Sequence, residues 1–152
     1  MVAMTSAVVT VERTLPADPS AVFEVLADPQ LHRVIDGSGT LRGVVVGPAR
    51  LSRGAEFGMS MKAGLPYRVT NRVVEFEEGR LIAWRHFGGH RWRYTLTPVE
   101  GGTLVREEWD PTRLPRITQL GLRLAGFPGR NRKGMEATLV RLGEHFSAVP
   151  PA

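Results

Sequence analysis

An α+β fold, in which a curved antiparallel sheet of about seven strands wraps around a long C-terminal helix, is predicted by three features of the sequence. A β-branched opening segment is followed by two cap-and-proline helix starts. Six short β-branched or aromatic segments, each closed by turn residues, then fill residues 40–109 with no helix-length interruption. The final stretch, 131–147, carries a single apolar stripe at helical spacing. The whole chain, 1–152, reads as one domain, and a domain of that size buries roughly 68–70% of its unfolded surface.

Taken in order, residues 8–15 are rich in Val and Thr and stop at Pro16, as a strand does. Asp18-Pro19 supplies an N-cap and a first-turn proline, and Val22, Phe23 and Leu26 form the apolar face of a short helix. Asp28-Pro29 repeats that signal and opens a second short helix over 30–34, ended by the Asp36-Gly37-Ser38-Gly39 loop. Six strands follow at 41–46, 55–62, 67–76, 81–87, 91–97 and 103–109, separated by turn residues such as Gly47-Pro48, Gly64, Gly79 and Gly101-Gly102. The absence of a crossover helix among them requires antiparallel pairing. Residues 111–128 are less regular, although Leu114, Ile117, Leu120 and Leu124 recur at helical spacing. In 131–147 the stripe is Met135, Leu139, Leu142 and Phe146; Gly134 and Gly143 weaken this helix by about 1 kcal/mol each, so docking must stabilise it. A sheet that bends over one helix leaves space between them, where ligands bind.

Composition narrows the function. Cysteine is absent, which excludes disulfides, thiolate metal sites and cysteine nucleophiles, and fits a reducing compartment. No apolar run reaches the length of a membrane span and residues 1–10 lack a leader pattern, so a cytoplasmic location is expected. The net charge is +5, with Lys62 and Lys133 the only lysines among 20 basic residues, but the charge is spread along the chain and nucleic-acid binding is not expected.

Several stretches are more distinctive than composition: His32-Arg33-Val34-Ile35-Asp36-Gly37-Ser38-Gly39, Tyr67-Arg68-Val69-Thr70-Asn71, Trp84-Arg85, Arg91-Trp92-Arg93-Tyr94 and Gly101-Gly102-Thr103. With the element order, these resemble an actinobacterial-type subgroup of the SRPBCC superfamily, also called START-like or polyketide cyclase/dehydrase-like. The resemblance covers nearly the whole chain. It implies a helix-grip fold and a hydrophobic cavity, but no single reaction, because the superfamily includes cyclases, hydratases, carriers and receptors.

The residues themselves offer two readings at each candidate site. His32 and Asp36, four apart, suit an acid/base pair at a cavity mouth; alternatively Asp36 tethers a turn in which Gly37 and Gly39 take positive φ, and His32 packs or bonds to backbone. His86 and His90 flank Gly88-Gly89 without a third ligand at a recognisable spacing, so no metal site is assigned and both read as solvated turn residues. Trp92 and Tyr94 alternate with Arg91 and Arg93, giving one aromatic and one cationic face. Val105, Glu107 and Trp109 share the face assigned to the interior, which leaves Glu107 partly buried and obliged to pair or raise its pKa. Phe57, Met59 and Met61 form another alternate row of adaptable apolar side chains. The phase of 81–87 depends on its hairpin: a two-residue loop turns Arg85 inward, and a three-residue loop with a bulge turns Trp84 and His86 inward, the arrangement preferred here.

Ligand-lining candidates are therefore Phe57, Met59, Met61, Tyr67, Trp84, Trp92, Tyr94, Trp109, Met135 and Leu139; His32, Asp36 and Glu107 are catalytic candidates if the chain is an enzyme. No cofactor motif is present. Residues 113–130 contain no acid and read as a basic amphipathic element, either a lid that touches anionic membrane or an acidic ligand head group, or a helix packed on the sheet edge. The expected function is binding or transport of an apolar or aromatic small molecule, lipid or polyketide-like; the alternative is a polyketide cyclase or dehydratase acting in the same cavity.

Overall fold

The computed structural model describes residues 7–39, 41–85 and 89–147, with the side chains of 42–44 and 62–63 left aside. Strand β1 (Val9–Leu15) is followed by α1 (Pro19–Ala27), a 3-10 turn (Pro29–Leu31) and the one-turn α2 (His32–Ile35). The sheet continues through β2 (Leu41–Val46), β3 (Glu56–Ala63), β4 (Leu65–Glu77), β5 (Leu81–Arg85), β6 (Arg91–Val99) and β7 (Gly102–Asp110). Helices α3 (Arg116–Leu124) and α4 (Phe127–Ser147) complete the order. The seven strands form one antiparallel sheet in the order β1-β7-β6-β5-β4-β3-β2, so β1 closes back on the last strand, as the predicted helix-grip architecture requires.

Local signals act where the sequence places them. Asp18 stands at the N-cap of α1 with Pro19 in the first turn, although its side chain makes no capping hydrogen bond, whereas the Asp28 side chain accepts from Gln30 N at 2.9 Å to start the 3-10 turn. The bounds differ most at α4, which starts four residues before the expected 131. Pro128 opens this helix rather than ending the preceding segment, because a first-turn N–H has no intrahelical acceptor to lose.

Met135, Leu139 and Leu142 of α4 are buried against β1 and β7, while α1 lies against β6 and β7 and α2 against β2 and α4. The core is continuous from Val9 and Val11 through Trp109, Tyr94, Trp84 and Phe57. Outside the sheet, Arg91 and Arg93 straddle Glu75 at 2.9 and 2.8 Å, and Arg93 also reaches Glu108 at 3.3 Å. Burial works against ionisation of Glu75, but hydrogen bonds from Arg93 and Arg91 outweigh it and hold the carboxyl below its usual range. One strand thus carries aromatics inward and cations outward, as its alternation predicts. Among the described residues no helix is long and apolar enough to cross a membrane.

Candidate functional site

The interior face is built by strand alternation and register. Trp84 pairs with Trp92 across β5 and β6, so both point to the same side, and Arg85 pairs with Arg91. Trp84 is inward as preferred: its pairing with Trp92 is the phase of the three-residue alternative, not of the two-residue loop that would turn Arg85 inward, and the loop itself includes residues 86–88, which lie outside those described. Tyr94 pairs with Glu107, and Trp92 with Trp109, which brings two aromatic rows onto β6 and β7. His32 reaches the same face from α2 and stacks on Trp84 with ring centroids 4.8 Å apart, while Phe57 meets both rings edge-on.

Three polar side chains lie inside this aromatic wall. Glu107 is 3% exposed and accepts a 2.8 Å hydrogen bond from the Tyr94 hydroxyl at Oε1. Burial pushes its pKa up to about 8; the Tyr94 bond opposes the rise and the Asp36 charge adds to it. At neutral pH the protonated carboxyl is therefore the favoured form, and its Oε2 has no hydrogen-bond partner. His32 donates from Nε2 to Leu26 O at 2.8 Å, which leaves Nδ1 as a bare acceptor, also buried and unpartnered. Burial lowers the His32 pKa against the opposing effects of that bond and of the Asp28 and Asp36 charges, so the ring is neutral. The third atom is Nδ2 of Asn71, buried opposite Phe57 and likewise unpartnered.

Asp36 does not pair with His32. Its carboxylate accepts from Ser38 N at 3.2 Å and Ser38 Oγ at 2.8 Å, and acts on His32 and Glu107 only through space. This is the tethered-turn arrangement, with one correction. Gly39 has φ 74°, but Gly37 has no positive φ; its Cβ would fall 2.4 Å from Thr138 N. Glycine is needed at 37 because the turn is pressed against the α4 backbone, where Gly37 N donates to Thr138 Oγ1 at 2.9 Å.

His90 is also not the solvated turn residue expected. Its Nδ1 accepts from Trp109 Nε1 at 2.8 Å, and its ring contacts those of Trp92 and Trp109. His86 lies outside the described residues. Among those described, no group of three His, Asp or Glu is placed to hold a metal ion.

The β3–β4 register grades this face from open to closed. Leu41, Met61 and Tyr67 lie in one cross-strand row, Val45, Met59 and Val69 in the next, and Phe57 with Asn71 in the third. Along β4 the exposure falls from 41% at Tyr67 to 6% at Val69 and 3% at Asn71. An apolar track thus leads inward to an amide. Met135 is buried in the core, whereas Leu139 also borders a shallow groove of about 110 Å³ between β1 and α4, shared with Val11, Arg13 and Glu136. That volume is below the roughly 300–1,000 Å³ of small-molecule sites.

A family model described as polyketide cyclase / dehydrase and lipid transport matches residues 6–146. The chain belongs to this family. Its relatives include two uncharacterized proteins of Mycobacterium tuberculosis, 40% and 39% identical over 145 residues; these cover 91% of this chain, which spans 62% of their length. Solved structures with the same fold include the KanY protein, with TM-score 0.72 and 16% identity over 95% of this chain and 100% of that one. A Mycobacterium smegmatis protein has TM-score 0.72 and 16% identity over 94% and 92% of the two chains. A Mesorhizobium loti protein has TM-score 0.70 and 18% identity over 95% and 99%. The family description joins cyclase or dehydrase chemistry with lipid transport, and both concern hydrophobic small molecules.

Within this family frame, Asn71 is the interior polar residue that sequence reasoning passed over. Its signal was present: Val69, Asn71 and Val73 are alternate positions, and an amide in an otherwise apolar inward row demands a partner.

Proposed function

We propose that this chain binds an apolar or aromatic small molecule, lipid or polyketide-like, with its apolar body along the Met61–Met59–Phe57 row and its polar group against the interior trio. The observation that carries this reading is that Asn71 Nδ2, His32 Nδ1 and Glu107 Oε2 are all buried and unpartnered on one face of the sheet. Each such group costs about 1–3 kcal/mol when left unsatisfied, so the trio favours a ligand that brings hydroxyl or carbonyl groups. The two methionines adapt to differing apolar shapes.

Native mass spectrometry of protein purified from its own host tests this directly, and a co-purifying mass identifies the ligand class. Titration of tryptophan fluorescence with palmitic acid and with an anthraquinone supplies a second readout. Asn71→Leu is expected to weaken binding about tenfold, the equivalent of one lost hydrogen bond. The absence of both a co-purifying mass and any quenching by either probe would overturn the proposal.

A catalytic reading is favoured by one specific arrangement. Glu107 is protonated and His32 is neutral with a free lone pair at neutral pH, the states needed for a general acid and a general base in a cyclisation or dehydration. If the trio only anchors a ligand, Glu107→Gln and His32→Ala alter affinity. If it catalyses, the same variants abolish turnover of the bound compound while affinity persists.

A further inference from the structure

We propose that α3 docks this protein onto an anionic lipid surface. The helix is attached with its apolar side outward. Among its nine residues none is buried; Ile117 and Leu124 are each 80% exposed and Leu120 is 53% exposed. At about 100° per residue these three side chains share one narrow face, whereas Leu122, which packs on the core, lies on the opposite side. Anchors on the preceding loop hold this orientation: Leu114 is buried, and Gln119 Nε2 donates to Leu114 O at 2.8 Å.

Charge selects the occupant of that face. No carboxylate occurs between Pro111 and Met135, and Arg116, Arg123 and Arg130 are exposed along α3 and the start of α4. Arg130 lies over the ring of Phe127, itself 38% exposed, at 4.4 Å, adding an aromatic beside the aliphatic face. Aliphatic residues flanked by arginines suit the boundary between anionic head groups and acyl chains. A second copy would bring the same arginines face to face across a two-fold axis, which opposes self-pairing. A single-stranded nucleic acid would call for a row of exposed aromatics to stack on, and α3 has none. This inference is independent of the interior reading, since Ile117, Leu120 and Leu124 are directed away from the core.

Co-sedimentation of the full chain with vesicles tests it, using phosphatidylcholine alone and phosphatidylcholine mixed with phosphatidylglycerol. Binding is expected only to the mixed vesicles, and is expected to weaken as salt shortens the screening length. Arg116→Gln/Arg123→Gln removes two cations and should lower the apparent affinity about 25-fold, roughly fivefold per charge. Ile117→Ser/Leu124→Ser should abolish binding, with the melting temperature unchanged because both positions are exposed. Equal binding to the two vesicle types, no binding to either, or wild-type binding by both double variants would overturn the proposal. So would a concentration-dependent dimer, seen by size exclusion without vesicle binding and abolished by the serine variant.

Discussion

Replacement of Glu107 by glutamine should remove a pH dependence that one buried carboxyl imposes on folding. Its pKa is about 8 in the folded chain against an ordinary carboxyl value of 4.5, so the native state binds more protons than the unfolded state throughout that interval. A raised carboxyl pKa therefore makes stability fall as pH rises, with the loss complete above the folded pKa. The His32 ring has a lowered pKa and works in the opposite sense: the unfolded chain takes up its proton below the ordinary imidazole value of 6.5, and stability falls as pH drops. Above pH 6.5 the histidine contribution has largely ended, which leaves Glu107 visible. Linkage over pH 6.5–9 then amounts to about 2 kcal/mol of lost stability in the wild type, worth roughly 4–8 °C in melting temperature for a chain of this size. Urea or thermal unfolding across that range should show the decline in the wild type and a much flatter profile in Glu107→Gln. Glutamine keeps an oxygen to accept from Tyr94 but cannot ionise. Parallel profiles for the two proteins would refute the assignment of a neutral, buried Glu107.

Gly37→Ala should lower the melting temperature by about 6 °C, because its Cβ would lie 2.4 Å from a helix backbone nitrogen that cannot move aside, an overpacking cost of about 2 kcal/mol. Thr138→Val should cost about 1–2 kcal/mol in denaturant unfolding, since the Gly37 N–H loses its acceptor in the same contact. Glu75→Gln should destabilise by roughly 1–2 kcal/mol at pH 7 by unpairing Arg91 and Arg93. The sign of its pH dependence is opposite to that of Glu107. The depressed Glu75 pKa stabilises the fold above the ordinary carboxyl value of 4.5, and this is lost on acidification through the lower folded value, so the gap between wild type and variant should narrow in acid.

The amino-acid pattern alone determined the element order apart from α3, the antiparallel sheet, the inward set Val105, Glu107 and Trp109, and the division of β6 into aromatic and cationic faces. These follow from two-residue and 3.6-residue periodicities and from proline and glycine punctuation, which are local properties. It also marked His32 to Gly39 as unusual, and the Leu/Ile stripe with its arginines. Tertiary structure decided what those marks meant. Whether Gly37 answers a backbone angle or a close approach depends on Thr138, a hundred and one positions away. That His32 sits on Trp84 rather than against Asp36, and that His90 accepts from Trp109, depends on strand register. The same holds for α3, whose apolar spacing is equally compatible with a face turned inward or outward. Only the docking of Leu122 settles the rotation, because a helix buries the side its neighbours can accept, and the neighbours come from the whole chain.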